Sequence, residues 1–250
     1  MSAVFLPPLR VEPTVVLSNA IDTAPAKRVL LDEPGLVARS AGNQLYFVFS
    51  TAGRAYDSIA LIRTNLAATD TIRVRVGMTP EMEGTVYVDQ TVQAWSGAAP
   101  VDKALTYVPL GQVYSAPYVR VDITTAAAFA EVSRILIGKR IEVDGVDRGA
   151  EFSYLSGSVV DDGPGWSSVE EARSRLSWKA TAGNVSRVSY VSEWAPFLSR
   201  VGKHSAFLLV PQTDSDSIQV EAALVRHQDD AKPSDLTSNR YQIEMQLLEI

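Results

Sequence analysis

The chain of 250 residues is long enough to bury one large core or two smaller ones. Hydrophobic residues make up 46% and charged residues 21%, values that exclude wholesale disorder, and the formal net charge of −6 argues against a protein that grips nucleic-acid phosphates. With no cysteine, disulfides and thiolate metal sites are excluded.

The first residues lack a basic stretch followed by a long apolar core, so no signal peptide is expected. No apolar run approaches the roughly 20 residues needed to span a bilayer. The expectation is a soluble chain made in the cytoplasm, with neither membrane nor nucleic acid as partner. Residues 1–40 carry Pro7, Pro8 and Pro13 and show weak periodicity, which reads as an extended N-terminal arm. Its apolar residues, among them Val4, Phe5, Leu6 and Leu9, need something to pack against.

Residues 41–143 read as an antiparallel β-sandwich. Residues 45–49 and 59–63 are apolar runs of buried-strand type. Residues 71–76 alternate, with Ile72, Val74 and Val76 on one side and Arg73 and Arg75 on the other. Residues 85–91 set Val86 and Val88 against Tyr87 and Asp89. Strands are expected at 107–110, 118–123 and 132–137, the last two joined by a short loop into a closing hairpin that ends at Gly138, Lys139 and Arg140.

The turn-rich run 144–149 is the expected boundary of a second β-rich domain, 144–250. Strands are expected there at 153–160, 174–181 and 185–191, with a loop at 161–165. One short helix is expected at 192–201, capped by Ser192, carrying Trp194, Phe197, Leu198 and Val201 on one face and stopped by Gly202. Strands at 206–210 and 218–225 follow, then a polar loop, 226–238. Alternating Tyr241, Ile243, Met245 and Leu247 predict a closing strand over 240–250.

No chemistry of the common kinds is spelled out. His204 and His227 stand alone, without metal-ligand spacing. There is no Gly-x-Ser-x-Gly elbow and no glycine-rich phosphate loop. The acidic groups Asp161-Asp162, Asp229-Asp230 and Asp214/Asp216 lack calcium-loop spacing and read as solvated turns. Asn184-Val185-Ser186 matches a glycosylation acceptor and reads as a turn. The expectation is no enzyme, no catalytic residue, no metal and no cofactor. Trp95, with Tyr87 on the strand before it, is a candidate sugar-stacking platform, because aromatic faces stack on the apolar face of a pyranose ring. Trp166, beside Gly163 and Gly165, is a second candidate. Each of these aromatics also fits plain packing or a subunit contact.

The run Ser58-Ile59-Ala60-Leu61-Ile62-Arg63-Thr64-Asn65-Leu66, followed by Thr71-Ile72-Arg73-Val74-Arg75-Val76, resembles a recurrent pattern in tail-tip proteins of long-tailed (siphovirus-like) bacteriophages. Ala116-Pro117-Tyr118-Val119-Arg120-Val121-Asp122-Ile123 and Ser133-Arg134-Ile135-Leu136-Ile137-Gly138 resemble that family's closing pair. The departure is Lys139-Arg140-Ile141-Glu142, where a Gly- or Pro-containing exit would be expected. The resemblance covers residues 40–143 and implies a galactose-binding-like jelly roll; residues 144–250 resemble, more loosely, the ring-forming domain of distal tail proteins. It implies a structural virion protein, a distal or minor tail protein of the tail tip or baseplate. Such a protein forms a homo-oligomeric ring, a hexamer or trimer, between the tail tube and the tip or hub proteins. The arm and the polar loop 226–238 would reach between subunits. The alternative is a carbohydrate-binding module that recognises a host surface glycan through Trp95 and its neighbours.

Overall fold

A computed structural model describes residues 2–33, 35–96, 104–143, 151–156, 158–164, 166–170, 174–213, 215–216 and 218–250. The expected boundary at 144–149 lies outside them. The chain is all-β and divides into two compact units, one of residues 1–144 with 207–222, the other of residues 145–206 with 223–250. No helix among the described residues is long and apolar enough to cross a membrane.

The first unit is a jelly-roll-type β-sandwich. Its strands are β1 (Ala3–Leu6), β2 (Thr14–Ser18), β3 (Ala38–Arg39), β4 (Gln44–Ser50), β5 (Tyr56–Thr64), β6 (Thr71–Gly77), β7 (Val86–Gln93), β8 (Ala104–Tyr114), β9 (Tyr118–Thr124), β10 (Glu131–Gly138) and β11 (Ile141–Val143). A five-stranded sheet runs β2-β4-β9-β6-β7, and a four-stranded sheet runs β3-β10-β5-β8. Every pairing in both sheets is antiparallel. Period-2 patterning explains the layering. Leu45, Phe47, Phe49, Ile72, Val74, Val76, Val119, Val121 and Ile123 point inward from one sheet. They meet Ile59, Leu61, Val108, Val132, Ile135 and Ile137 of the other in a single core cluster.

Three expectations for this region change. The strands at 118–124 and 131–138 do not form a hairpin. β9 lies between β4 and β6, and β10 lies between β3 and β5, so the chain crosses from one sheet to the other between them. That crossing is held by side chains. Asp70 accepts hydrogen bonds from Thr125 Oγ1 at 2.7 Å and from the Ala126 and Ala67 amides at 2.9 and 2.8 Å. Asn65 donates to the Phe129 carbonyl at 3.0 Å and accepts from the Glu131 amide at 2.7 Å.

The N-terminal segment is also more than an extended arm. β1 is wholly buried and pairs with β11 on one side and with β16 (Phe207–Val210) on the other. β2 adds an edge to the five-stranded sheet, and a 3-10 turn covers Ala26–Leu30. Arg134 of β10, with only 3% of its side chain exposed, anchors this segment: its guanidinium pairs with Glu12 at 2.8 Å and Asp32 at 3.0 Å and donates to the Val29 carbonyl. Lastly, residues 218–225 are not one strand. A helical turn, Ile218–Glu221, precedes the strand Ala223–His227. Within the first unit the Gln219 amide copies a strand partner for the edge of β8. It accepts from the Leu105 N–H at 2.8 Å and donates to the Leu105 and Ser96 carbonyls.

The second unit contains β12 (Glu151–Leu155), the hairpin of β13 (Val159–Gly163) and β14 (Trp166–Glu170), β15 (Arg175–Ser186), β17 (Ala223–His227), β18 (Lys232–Thr237) and β19 (Arg240–Glu249). The expected strand 153–160 is two strands, and the run 161–163, expected as loop, is the end of β13. β19 is the hub: it pairs along one side with β15 and along the other with β17 and β18, while β12 pairs with β15. The expected loop 226–238 therefore contains the end of β17 and all of β18. The helical run starts five residues before its expected start: α1 (Arg187–Ser189), a π turn (Tyr190–Trp194) and α2 (Ala195–Val201). Ser186, not Ser192, is the N-cap, accepting from the Ser189 amide. The π turn has a cause in the sequence. A proline at 196 has no N–H and would clash with the carbonyl four residues back, and the wider turn, closed by the Ala195 amide on the Tyr190 carbonyl, relieves this.

Candidate functional site on the five-stranded sheet

Tyr87 lies on β7, half exposed at 50%, with its ring 6.3 Å from that of Tyr114 at 39°. A β-bulge places it there. Val88 opposes Val76 and Val86 opposes Gly77, so Tyr87 is the extra residue of β7. Bulges re-aim side chains in this way. Gly77 suits the site because a Cβ there would meet Met82 and the Thr85 carbonyl.

Trp95 does not join Tyr87. It lies beyond the far end of β7, eight residues on, which is more than roughly 20 Å along a strand. Its indole N–H donates to the Leu66 carbonyl at 2.7 Å, and the residue packs against the sandwich core. Trp166 begins β14, and its side chain lies outside the described residues. Trp95 and Tyr87 therefore do not share one platform, and Tyr87 is an exposed ring on the sandwich.

What surrounds Tyr87 on the same sheet is a set of charges that the sequence reading left unassigned. The strands β2, β4, β6, β7 and β9 carry five charged residues: Arg73, Arg75, Asp89, Arg120 and Asp122. All alternate away from the core residues and so share the outer face. Arg73 grips Asp89 with two bonds, Nε to Oδ1 at 2.6 Å and Nη2 to Oδ2 at 2.5 Å. That pairing holds the Asp89 carboxyl below its ordinary range. Asp122 accepts from Arg75 Nη2 at 2.7 Å and from Arg120 Nε at 2.9 Å. The Arg120 guanidinium lies over the Tyr46 ring, 4.7 Å from its centroid. In chemical terms the face offers an exposed aromatic ring next to planar, oriented donors and acceptors. Such groups recognise hydroxyl-rich rings, and none of them is placed as a nucleophile with its base.

A second polar cluster lies where β5, β8 and the start of β11 meet. Asp57 accepts from Ser58 Oγ at 3.0 Å and from the Arg140 amide at 2.9 Å, and the Tyr107 hydroxyl lies 3.4 Å from Ser58 Oγ. Burial pushes the Tyr107 hydroxyl up from its ordinary pKa. Asp57 and Ser58 are buried, and the cluster fastens the Lys139-Arg140 exit to β5. No group of three or more His, Cys, Asp or Glu suited to a metal ion occurs among the described residues.

No protein-family model matches the chain, and no curated protein matches it by sequence. Solved structures do resemble it in outline. One is the chitosan-binding module 1 of a chitosanase/glucanase from Paenibacillus sp. IK-5, 15% identical, covering 52% of this chain and 97% of that one, with a TM-score of 0.39. Another is the family 32 carbohydrate-binding module of C. perfringens NanJ in complex with galactose, 12% identical, covering 56% of this chain and 99% of that one, TM-score 0.39. A third is reduced XRCC1 bound to the DNA polymerase β catalytic domain, 11% identical, covering 54% and 98%, TM-score 0.38.

Proposed function

We propose that this chain is a non-catalytic binding module that recognises a glycan through the outer face of its five-stranded sheet. The observation that supports this reading is Tyr87. A bulge turns its ring out to solvent beside the bidentate Arg73–Asp89 fork. A sugar ring stacked on Tyr87 would find donors and acceptors already oriented two residues along the strand, roughly 7 Å away. The test is a glycan array followed by calorimetry on the best binder. Tyr87→Ala should weaken binding by about tenfold or more, as loss of a central aromatic anchor does, while circular dichroism stays unchanged. Equal affinity for wild type and variant would sink the reading.

A second reading, the ring-forming structural protein of a phage tail tip, is favoured by one feature of the second unit. β12 is paired on one side by β15, and it exposes Tyr154 and Leu155. The helical run that follows β15 exposes Val188 and Val191. Exposed strand edges with apolar side chains are ready-made assembly surfaces. In that reading the protein resides in the virion, and the sandwich either decorates the ring or carries its glycan site.

A further inference from the structure

Resting on the glycan reading, we infer that the ligand is acidic: the outer face of the five-stranded sheet is built to take a carboxylate or sulfate carried on a sugar, with Arg75 and Arg120 as the anion-binding pair.

Charge balance is the first reason. The strands of this sheet hold three guanidiniums and two carboxylates, Arg73, Arg75 and Arg120 against Asp89 and Asp122. One positive charge is left over on a protein whose formal net charge is −6. Asp89 is occupied on both oxygens by Arg73. Asp122 alone is shared by the remaining two arginines.

Register is the second reason. Arg75 stands directly opposite Arg120 across β6 and β9. Like charges at opposed positions repel, and one carboxylate neutralises only one of them. Neither side chain escapes to water: Arg75 is 17% exposed and Arg120 is 23% exposed. Two half-buried guanidiniums side by side, with one excess charge, attract an oxyanion, and the planar fork of arginine fits a carboxylate or sulfate with two parallel bonds.

Arg75 Nε supplies the third reason. It is buried and makes no hydrogen bond. A buried donor without a partner is costly, so the position of Arg75 is not the best one for stability alone. A small turn of the guanidinium toward an arriving anion would free Nη2 and Nε together. Geometry links this pair to the aromatic ring. Arg75 is also opposite Asp89, and Tyr87 is two residues from Asp89 along β7, roughly 7 Å away. A sugar on Tyr87 therefore carries its acid group toward Arg75.

Calorimetry of the intact protein at low salt would test this with three probes: trigalacturonic acid, its methyl ester and a sulfated galactan oligosaccharide. The acid should bind about tenfold tighter than its ester, with the preference shrinking at 0.5 M salt. Arg75→Gln should bring the affinities for acid and ester to within about twofold of each other. The sulfated probe separates sulfate from carboxylate as the natural group. The ester comparison uses wild-type protein, so it holds even where Arg75→Gln fails to fold. Equal affinity for acid and ester, with both lost in Tyr87→Ala, would overturn the anion site and leave the glycan reading standing. No binding of any sugar, neutral or acidic, would overturn both.

Discussion

His227 sets a pH dependence that can be worked out from its surroundings. It is buried at 4% exposure, with its ring 6.2 Å from that of Phe197. Burial pushes its pKa below the ordinary 6.5, and Asp230 offsets this only partly. The unfolded chain therefore binds a proton that the folded chain resists. Stability from this residue is fully present above the unfolded value of about 6.5 and is lost as pH falls through the lower, folded value. The unfolding free energy of wild type, read from urea melts, should drop between pH 7.5 and 5.5, by up to about 1.4 kcal/mol per pH unit. The drop should shrink in His227→Gln. An unchanged wild-type midpoint across that range would contradict the assignment. At this same scale, alternation in the sequence set Tyr87 apart from Val86 and Val88, whereas the bulge that leaves it as the extra residue of β7 is set by the register against β6 and was not legible. For Trp95 the sequence left stacking and packing both open, because a side chain's choice between solvent and a distant carbonyl, here that of Leu66, is made by the loop packing and leaves no local mark.

Among the elements, the strands with clean alternation were legible to within a residue or two. β6 and β19 show why: Ile72, Val74 and Val76, and Ile243, Met245 and Leu247, are the buried set in each. Elements settled by tertiary contacts were not legible. Residues 218–221 have strand-like composition, yet they form a helical turn from which Gln219 bonds the edge of β8. The pairing of Arg75 with Asp122 joins residues 47 apart in sequence, so the charged face could not be read from either strand alone. One element-scale contact gives a sharp prediction. Gly138 ends β10 against the N-terminal segment, where an added Cβ would lie 2.0 Å from the Pro7 carbonyl oxygen and 3.1 Å from Leu6 Cδ1. Gly138→Ala must push backbone against backbone and should cost about 2 kcal/mol or more. Gly42→Ala, which meets nothing within 4 Å, is the matched control and should leave the thermal midpoint near wild type. Similar melting curves for the two variants would refute the close approach.

For the whole molecule, assembly state separates the two functional readings. Light scattering over a range of concentrations should give a monomer if the chain is a glycan-binding module alone. A closed trimer or hexamer would favour the tail-ring reading, and β12 would then be the strand to block, for instance with Tyr154→Lys at its exposed end. The sandwich class was legible from short strands and turn spacing. The interleaving of early and late segments was not: sequence proximity suggests that neighbours pair, whereas β1 takes its partners from residues 141–143 and 207–210.

That interleaving shapes how the protein is made. Ser2 and Thr213 meet through their hydroxyls although 211 residues separate them. At ribosomal speeds of about 5–20 residues per second, the apolar run Ala3–Leu6 waits on the order of ten to forty seconds for β16 to be synthesised. Until β11 and then β16 emerge, the nascent chain carries a sticky strand with open edges, a target for chaperones and for premature association between neighbouring polysomal chains.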